Sequence, residues 1–358
     1  MQLSNRPNFL DYSKAIGIYL VLFGHYVYRL NIPFSNNYLW NNEFNVTLFH
    51  MPLFFMVSGI LFKPEGNLAM FWKKSIHRLL IPYLYISLIC LLIGMVLFIV
   101  NSDLDNITDL IIKLLKTGVK CILGIMTGGD FWGYGHNTYA SPLWFVISLF
   151  WIQLFMQLFI TGRKYRYYLL FIVSVLFIVT LLYGNFLAFR ICSSVVGLFF
   201  FFIGFYYKAY FMKIVLCSKI KLFSLFCITL LVLCICAYYG FNYNSPQGFF
   251  SINSLKFGEY PILFFISGVS GSIMIFSLSQ LCVGICKKHT LTISNGTLII
   301  LGFHSIIYIM FQGFIDSQNL LFALFFSFFI LILCYGVIIL STKYFPVLLG
   351  GRTLHGTR

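Results

Sequence analysis

The chain has 358 residues, 60 % of them apolar and only 9 % charged, with a mean hydropathy of +0.92. A soluble domain carries about 25 % charged residues, so this composition excludes a soluble enzyme and leaves room for about ten membrane spans of roughly 20 residues each. The net charge of +15 is scattered between apolar runs, which argues against a nucleic-acid partner, and the ten cysteines lie mostly inside those runs without disulfide or zinc spacing, which argues against a metal site.

In chain order, the first two spans, about 14–31 and 46–62, frame FLDYSKAIGIYLVLFGH and FHMPLFFMVSGILF. No cleavable leader is expected before the first span, which should be retained. Asp11, Lys14, His25 and His50 sit inside or at the mouths of these spans. Ionisable groups at such depths are expensive and mark function. At about 100° per residue, the eleven steps from Lys14 to His25 return to within about 20° of one face and rise about 16 Å. Asp11 lies one turn earlier on nearly the same face. One stripe therefore climbs from a basic inner end to a mid-membrane histidine, and His50 should lie at a similar height, roughly 20 Å above Lys63.

The third span, about 78–100, follows FWKKSIHRLLIP, where Lys74, His77 and Arg78 form a basic inner mouth; such a run also orients a span. Residues 101–141 form the longest outer loop. Its first part has apolar spacing with Lys113, Lys116 and Lys120, as an amphipathic helix lying on the outer surface would. Its second part, GGDFWGYGHN, suits a loop folded over a site. The remaining spans are expected at about 142–161, opening with Trp144; 168–183; 187–206, with Arg190 near its outer end; 221–240; 260–283; 291–312; and 320–341. As a straight helix, the ninth would carry His304 roughly 24 Å above Lys288. Bland readings stand beside these: an intramembrane histidine often joins helices, and Arg190 is placed to snorkel.

With the N-terminus inside, eighteen basic residues fall on the inner side and six on the outer, while only Asp11 and Glu65 of the nine acids are inside. The positive-inside rule then puts both termini in the cytoplasm. The expected fold class is all-α: a polytopic membrane protein of about ten helices, with a single transmembrane domain over 1–345 and a cytoplasmic tail over 346–358.

The first hairpin, together with KSIHRLLIPYL, SPLWFVISLF, VVGLFFFFIG and SNGTLIILGFHSIIYI in that order, resembles the acyltransferase 3 family of integral membrane acyltransferases over nearly the whole chain. The nearest likeness is to the branch that O-acetylates cell-surface sugars. The resemblance implies a multi-pass enzyme of the bacterial cell (inner) membrane, a cytoplasmic acetyl-CoA donor rather than a permanently bound cofactor, and a hydroxyl acceptor on a cell-surface polysaccharide or lipid-linked sugar. It identifies His25 with the family's essential histidine, and Lys14 with a position usually held by Arg, so the charge is kept but the bidentate fork is not.

Lys14, Lys74, His77 and Arg78 are then expected to hold the donor phosphates. His25 is expected to act with His50 and Asp11, either as general base or through an acyl-histidine intermediate. Trp144, Arg190 and His304 are expected to face the acceptor. A transporter of lipid-linked glycans is the main alternative, since it too needs polar groups at mid-depth; a sensor or scaffold is the other.

Overall fold

A computed structural model describes residues 8–29, 48–102, 107–131, 135–137, 139–240, 251–311 and 320–350. Arg6, the first outer loop, parts of the second and the last eight residues, including Arg352 and Arg358, lie outside the described residues.

Among the described residues the regular structure is helical apart from one small ribbon and an isolated antiparallel bridge between Ser251 and Lys256. The helices are α1 (Phe9–Arg29), α2 (His50–Leu61), α3 (Leu68–Ser75), α4 (Ile81–Val100), α5 (Ile107–Thr127), α6 (Trp144–Thr161), α7 (Arg166–Tyr183), α8 (Ile191–Tyr206), α9 (Lys208–Met212), α10 (Lys219–Gly240), α11 (Pro261–Leu281), α12 (Lys287–Asn295), α13 (Thr297–Phe311) and α14 (Leu320–Tyr344). The ribbon pairs β1 (Asp130–Phe131) antiparallel with β2 (Gly135–His136), residue 130 opposite 136.

Among the described residues, six helices are long and apolar enough to cross a membrane, and two bent pairs raise that to eight. The remaining two expected spans each fall short on one count. α1 has 21 residues but carries Asp11, Lys14 and His25. α2 is apolar but has 12 residues, a rise of about 18 Å against a core of about 30 Å. The protein is a polytopic, all-helical membrane protein.

Three spans differ from the sequence expectation, each for a local reason. The third begins at Leu68, ten residues early, and runs unbroken to Val100. Asn67 starts it by accepting the Met70 N–H on its side chain. Between α3 and α4 the backbone widens into a π turn over Ile76–Leu80. Pro82 has no N–H for the carbonyl of Arg78 and its ring crowds that carbonyl; a wider turn accommodates both. The sixth span, expected straight over 187–206, starts at Ile191 and bends by 61° into the segment Lys208–Leu216. The ninth, expected straight over 291–312, breaks at Gly296, where α12 meets α13 at 77°. Gly296 is needed there because a Cβ would lie 2.3 Å from Ile338 of α14.

Close helix crossings set the frame of the site. α2 and α8 meet backbone to backbone: a Cβ at Gly59 would fall 2.2 Å from the Phe201 carbonyl oxygen, and one at Gly204 would fall 2.1 Å from that of Met56. Small residues permit this approach, and dispersion holds it in lipid. α1 meets α2 at Gly17, where a Cβ would lie 2.9 Å from Leu53 Cδ2. α5 is the helix expected in the outer loop. It buries Gly118, Cys121, Gly124 and Ile125, exposes its three lysines, and turns Ile111, Leu115, Val119, Ile122 and Met126 outward as a separate apolar stripe. After α14, the turn Pro346–Leu349 buries Leu348 and Leu349 against the helices, so the expected tail starts as packed structure.

Candidate active site

α1 carries the stripe read from the sequence, and α12 and α13 form the wall facing it. At the inner end, the Lys14 ammonium lies 3.5 Å from Asp11 Oδ1 and donates to the Ser294 carbonyl at 3.2 Å. The Ser294 hydroxyl donates to Asp11 Oδ1. Lys14 is 8 % exposed and Asp11 7 %. The break at Gly296 ends α12 where Ser294 still has a carbonyl to offer, and a helix C-terminus carries negative partial charge that suits an ammonium. Tyr12 extends the contact: its hydroxyl donates to the Ile285 carbonyl and accepts the Gly284 N–H.

Higher up, the His25 ring faces the His304 ring, with centroids 5.2 Å apart and planes at 47°. His304 is fully buried. Its Nδ1 lies 2.7 Å from the Ile300 carbonyl oxygen, which can only accept, so Nδ1 carries the proton. Tyr308, one turn on, donates from its hydroxyl to the Leu22 carbonyl and so ties α13 to α1 at the level of the histidines. Asp11, Lys14, Leu22 and His25 occupy an arc of about 80° on α1. That whole arc faces the broken helix.

Asp11 and His25 are not together. Fourteen residues separate them, about 21 Å of helical rise, so Asp11 acts at the inner end with Lys14 and Ser294. His50 opens α2 and is buried. The crossing of Leu53 and Phe54 on Gly17 puts His50 roughly one turn beyond Gly17, about 6 Å short of His25 along the stripe.

The three other inner cations form a separate group. Lys74 (side chain 61 % exposed), His77 and Arg78 lie on the outside of the π turn and its approach. Lys74 pairs with Glu65 at 2.7 Å, and Arg78 Nη2 donates to Gln153 Oε1 at 2.7 Å. Gln157, one turn below Gln153 on α6, grips the Glu65 backbone from both sides: Oε1 accepts its N–H and Nε2 donates to its carbonyl, each at 2.9 Å. Lys14 is tied to α12, Arg78 to α6 and Lys74 to Glu65, whose backbone α6 holds, so the described contacts make two basic groups, with exposed His77 beside the second.

At the outer side, Arg190 and Trp144 come together around a glycine turn. Arg190 is 6 % exposed, with φ 59° and ψ 23°, a left-handed conformation disfavoured for a side chain of this size. Its Nε donates to the Gly128 carbonyl at 3.1 Å and its Nη1 to the Asn253 carbonyl at 3.4 Å, so it clamps two outer segments and does not snorkel. Gly129 lies between it and Trp144: a Cβ there would sit 2.9 Å from Arg190 Nη2 and 3.5 Å from Trp144 Cβ. Beneath, Tyr83 donates to the Ile125 carbonyl, and Asn137 donates to Ser87 Oγ.

The sequence reading missed Ser294, Tyr308, Gln153, Gln157, Tyr83 and Asn137. Two signals were present: the Asn-Gly step inside an apolar run, and two glutamines one turn apart in an otherwise apolar span. Among the described residues, no group of three histidines, cysteines or acids forms a metal site.

No curated protein and no solved structure matches the chain. A family model for an acyltransferase domain, acyltransferase 3, does match, over residues 8–340. That match takes in α1 with its stripe, the broken helix that faces it, both basic groups and nearly all of α14. The chain belongs to the acyltransferase 3 family, and it is a membrane-bound acyltransferase.

Proposed function

We propose that this acyltransferase moves an acetyl group from cytoplasmic acetyl-CoA to a hydroxyl of a cell-surface polysaccharide or lipid-linked sugar, in the bacterial cell membrane with both termini inside. The observation that carries this reading is the α1 stripe. It holds a cation at the inner end and an imidazole eleven residues above it, and each meets a polar group of the broken helix.

In this reading the donor phosphates dock on the exposed group of Lys74, His77 and Arg78, which charge-assisted hydrogen bonds suit. Lys14 lies deeper and acts on the arm of the donor as it rises along α1. The thioester stops at His25. His25 takes the proton of the acceptor hydroxyl as that oxygen attacks the acyl carbon; the C–S bond breaks, and the CoA thiolate leaves with the proton returned from His25. An imidazole, whose ordinary pKa lies near neutrality, is the side chain suited to this transfer. His50 lies near enough along the stripe to orient the thioester or His25. Trp144 and Arg190, at the glycine turn, line the acceptor side, and their surroundings, rich in backbone carbonyls and aromatic surface, fit a sugar.

Purified protein incubated with labelled acetyl-CoA and a polysaccharide extract tests the reading. Release of free CoA thiol with label on the glycan is the expected result. A transporter of lipid-linked glycans would leave the thioester intact, and intact acetyl-CoA with a folded protein would overturn the proposal.

A further inference from the structure

We infer that the Lys14 end of the molecule carries a docking surface for the headgroups of anionic phospholipids. It is built from the start of α7, the bent segment Lys208–Leu216 and the start of α10. Nothing in it depends on acetyl transfer.

The charge of this surface has one sign. From Trp132 to Gly258 the chain has no acidic residue. Within that stretch Arg163, Lys164, Lys213, Lys219 and Lys221 are exposed and Arg166 is half-buried. Three of the six lie over aromatic rings: Lys164 is 5.6 Å from the centroid of Tyr165, Lys213 is 5.2 Å from that of Tyr210, and the Arg166 guanidinium is 5.1 Å from that of Phe159. An aromatic face orients a cation without neutralising it.

The fold brings these cations to one end. The bent segment leaves the axis of α8 by 61°, so it runs across the end of the bundle and not on through the membrane. Phe211 and Ile214 hold it there by burial. The Phe211 ring packs on Phe276 of α11 at 5.5 Å, and Phe276 meets Phe9, the first residue of α1, at 5.8 Å. The segment therefore lies at the end where Asp11 and Lys14 open the stripe. α7 joins it through rings: Arg166 donates to the Phe159 carbonyl at 3.2 Å, Phe159 meets Phe202 at 5.9 Å, and Phe202 stacks on Tyr206 at the bend.

The neighbouring exposed side chains say what covers the cations. Leu216 is 85 % exposed and Ile220 80 %, in the same short stretch as Lys213, Lys219 and Lys221, with Tyr206, Tyr207 and Tyr210 exposed beside them. Apolar side chains, tyrosines and lysines mixed at the end of a span belong to the boundary of a bilayer, where the apolar groups enter the acyl region and the cations stay at the phosphates. The surface continues helices that cross the membrane, so lipid reaches it without a further partner. A second copy of the same surface would be repelled, since it offers no acid to pair with. In the proposed orientation this is the cytoplasmic leaflet, whose anionic lipids attract such cations.

Thermal unfolding of the purified full-length protein in a neutral detergent tests the inference. Phosphatidylglycerol should raise the midpoint, as a ligand of the folded state does, and phosphatidylcholine should not. Added salt should shrink the rise, because exposed charges are screened. Each cation near an anionic surface tightens association about fivefold. Lys213→Gln, Lys219→Gln and Lys221→Gln together should therefore raise the phosphatidylglycerol concentration for half the effect by about 10²-fold. Lys113→Gln, Lys116→Gln and Lys120→Gln together remove as many charges from α5, which leads to the turn that Arg190 holds at the opposite end of α8; this variant should respond as the wild type does. Equal losses in the two variants, or a wild-type rise that salt leaves unmoved, would overturn the inference. So would a rise of the same size with glycerol phosphate, which marks a site for a free phosphate, or displacement of the lipid by acetyl-CoA, which marks a donor site.

Discussion

At the inner end of the site, one buried lysine and one buried aspartate depend on each other and on Ser294. Removing one partner of a buried pair leaves an uncompensated charge and costs about 3–5 kcal/mol, whereas replacing both with neutral groups of similar shape can be nearly neutral. Lys14→Ala should therefore lower stability as well as donor affinity, and Asp11→Asn combined with Lys14→Met should restore much of the stability and none of the affinity. Thermal unfolding in detergent, beside an acetyl-CoA titration, separates the two effects. Lys14→Arg should stay active, since charge is kept. Ser294→Ala removes a hydrogen bond to a charged acceptor and should cost about 1.5–3 kcal/mol. Lys14 and His25 were legible in the sequence because ionisable residues in apolar runs stand out and helical arithmetic puts them on one face. Ser294 was not, because serine is common in membrane helices and its partner lies about 280 positions away in the chain.

Elements are positioned here by breaks and by glycines. The α2–α8 crossing tolerates nothing larger than hydrogen at Gly59 or Gly204, because the Cβ of either would strike a backbone carbonyl. Gly204→Val should separate the helices, with a loss of about 1–3 kcal/mol or more as for overpacked cores. Lower abundance in the membrane fraction and a lower midpoint of thermal unfolding would register it, and an unchanged midpoint would contradict the packing described. The π turn is a device of the same kind. It presents His77 and Arg78 on a widened stretch of backbone while Gln153 holds the guanidinium. Gln153→Leu should release Arg78 and raise the KM for acetyl-CoA several-fold with little change in kcat, which a donor titration measures. Long apolar helices were legible in the sequence because their signal is summed over many residues. The bends at Tyr207 and Gly296 were not, because a break of one residue barely alters the hydropathy of its window.

For the whole molecule, the proposed orientation rests on the eighteen-to-six division of basic residues, which would put the α5 lysines outside and Lys219 and Lys343 inside. A cysteine at exposed Lys116 should react with an impermeant thiol reagent in intact cells, above the background of the parent protein, and one at exposed Lys219 should react only after lysis. The reverse pattern would invert the molecule and place the Lys74 group on the wrong side for cytoplasmic acetyl-CoA. In the proposed reading, orientation also gives the stripe its direction: the donor rises past Lys14 from the exposed inner group, and the acceptor meets it beneath the turn that Arg190 clamps. The central claim is that acetyl transfer occurs at His25. Its most direct test is the rate at which purified His25→Ala protein, confirmed folded by its thermal midpoint, moves label from acetyl-CoA to the polysaccharide. Loss of a general base predicts a fall of at least about 10²–10⁴-fold; transfer at the wild-type rate would contradict the account.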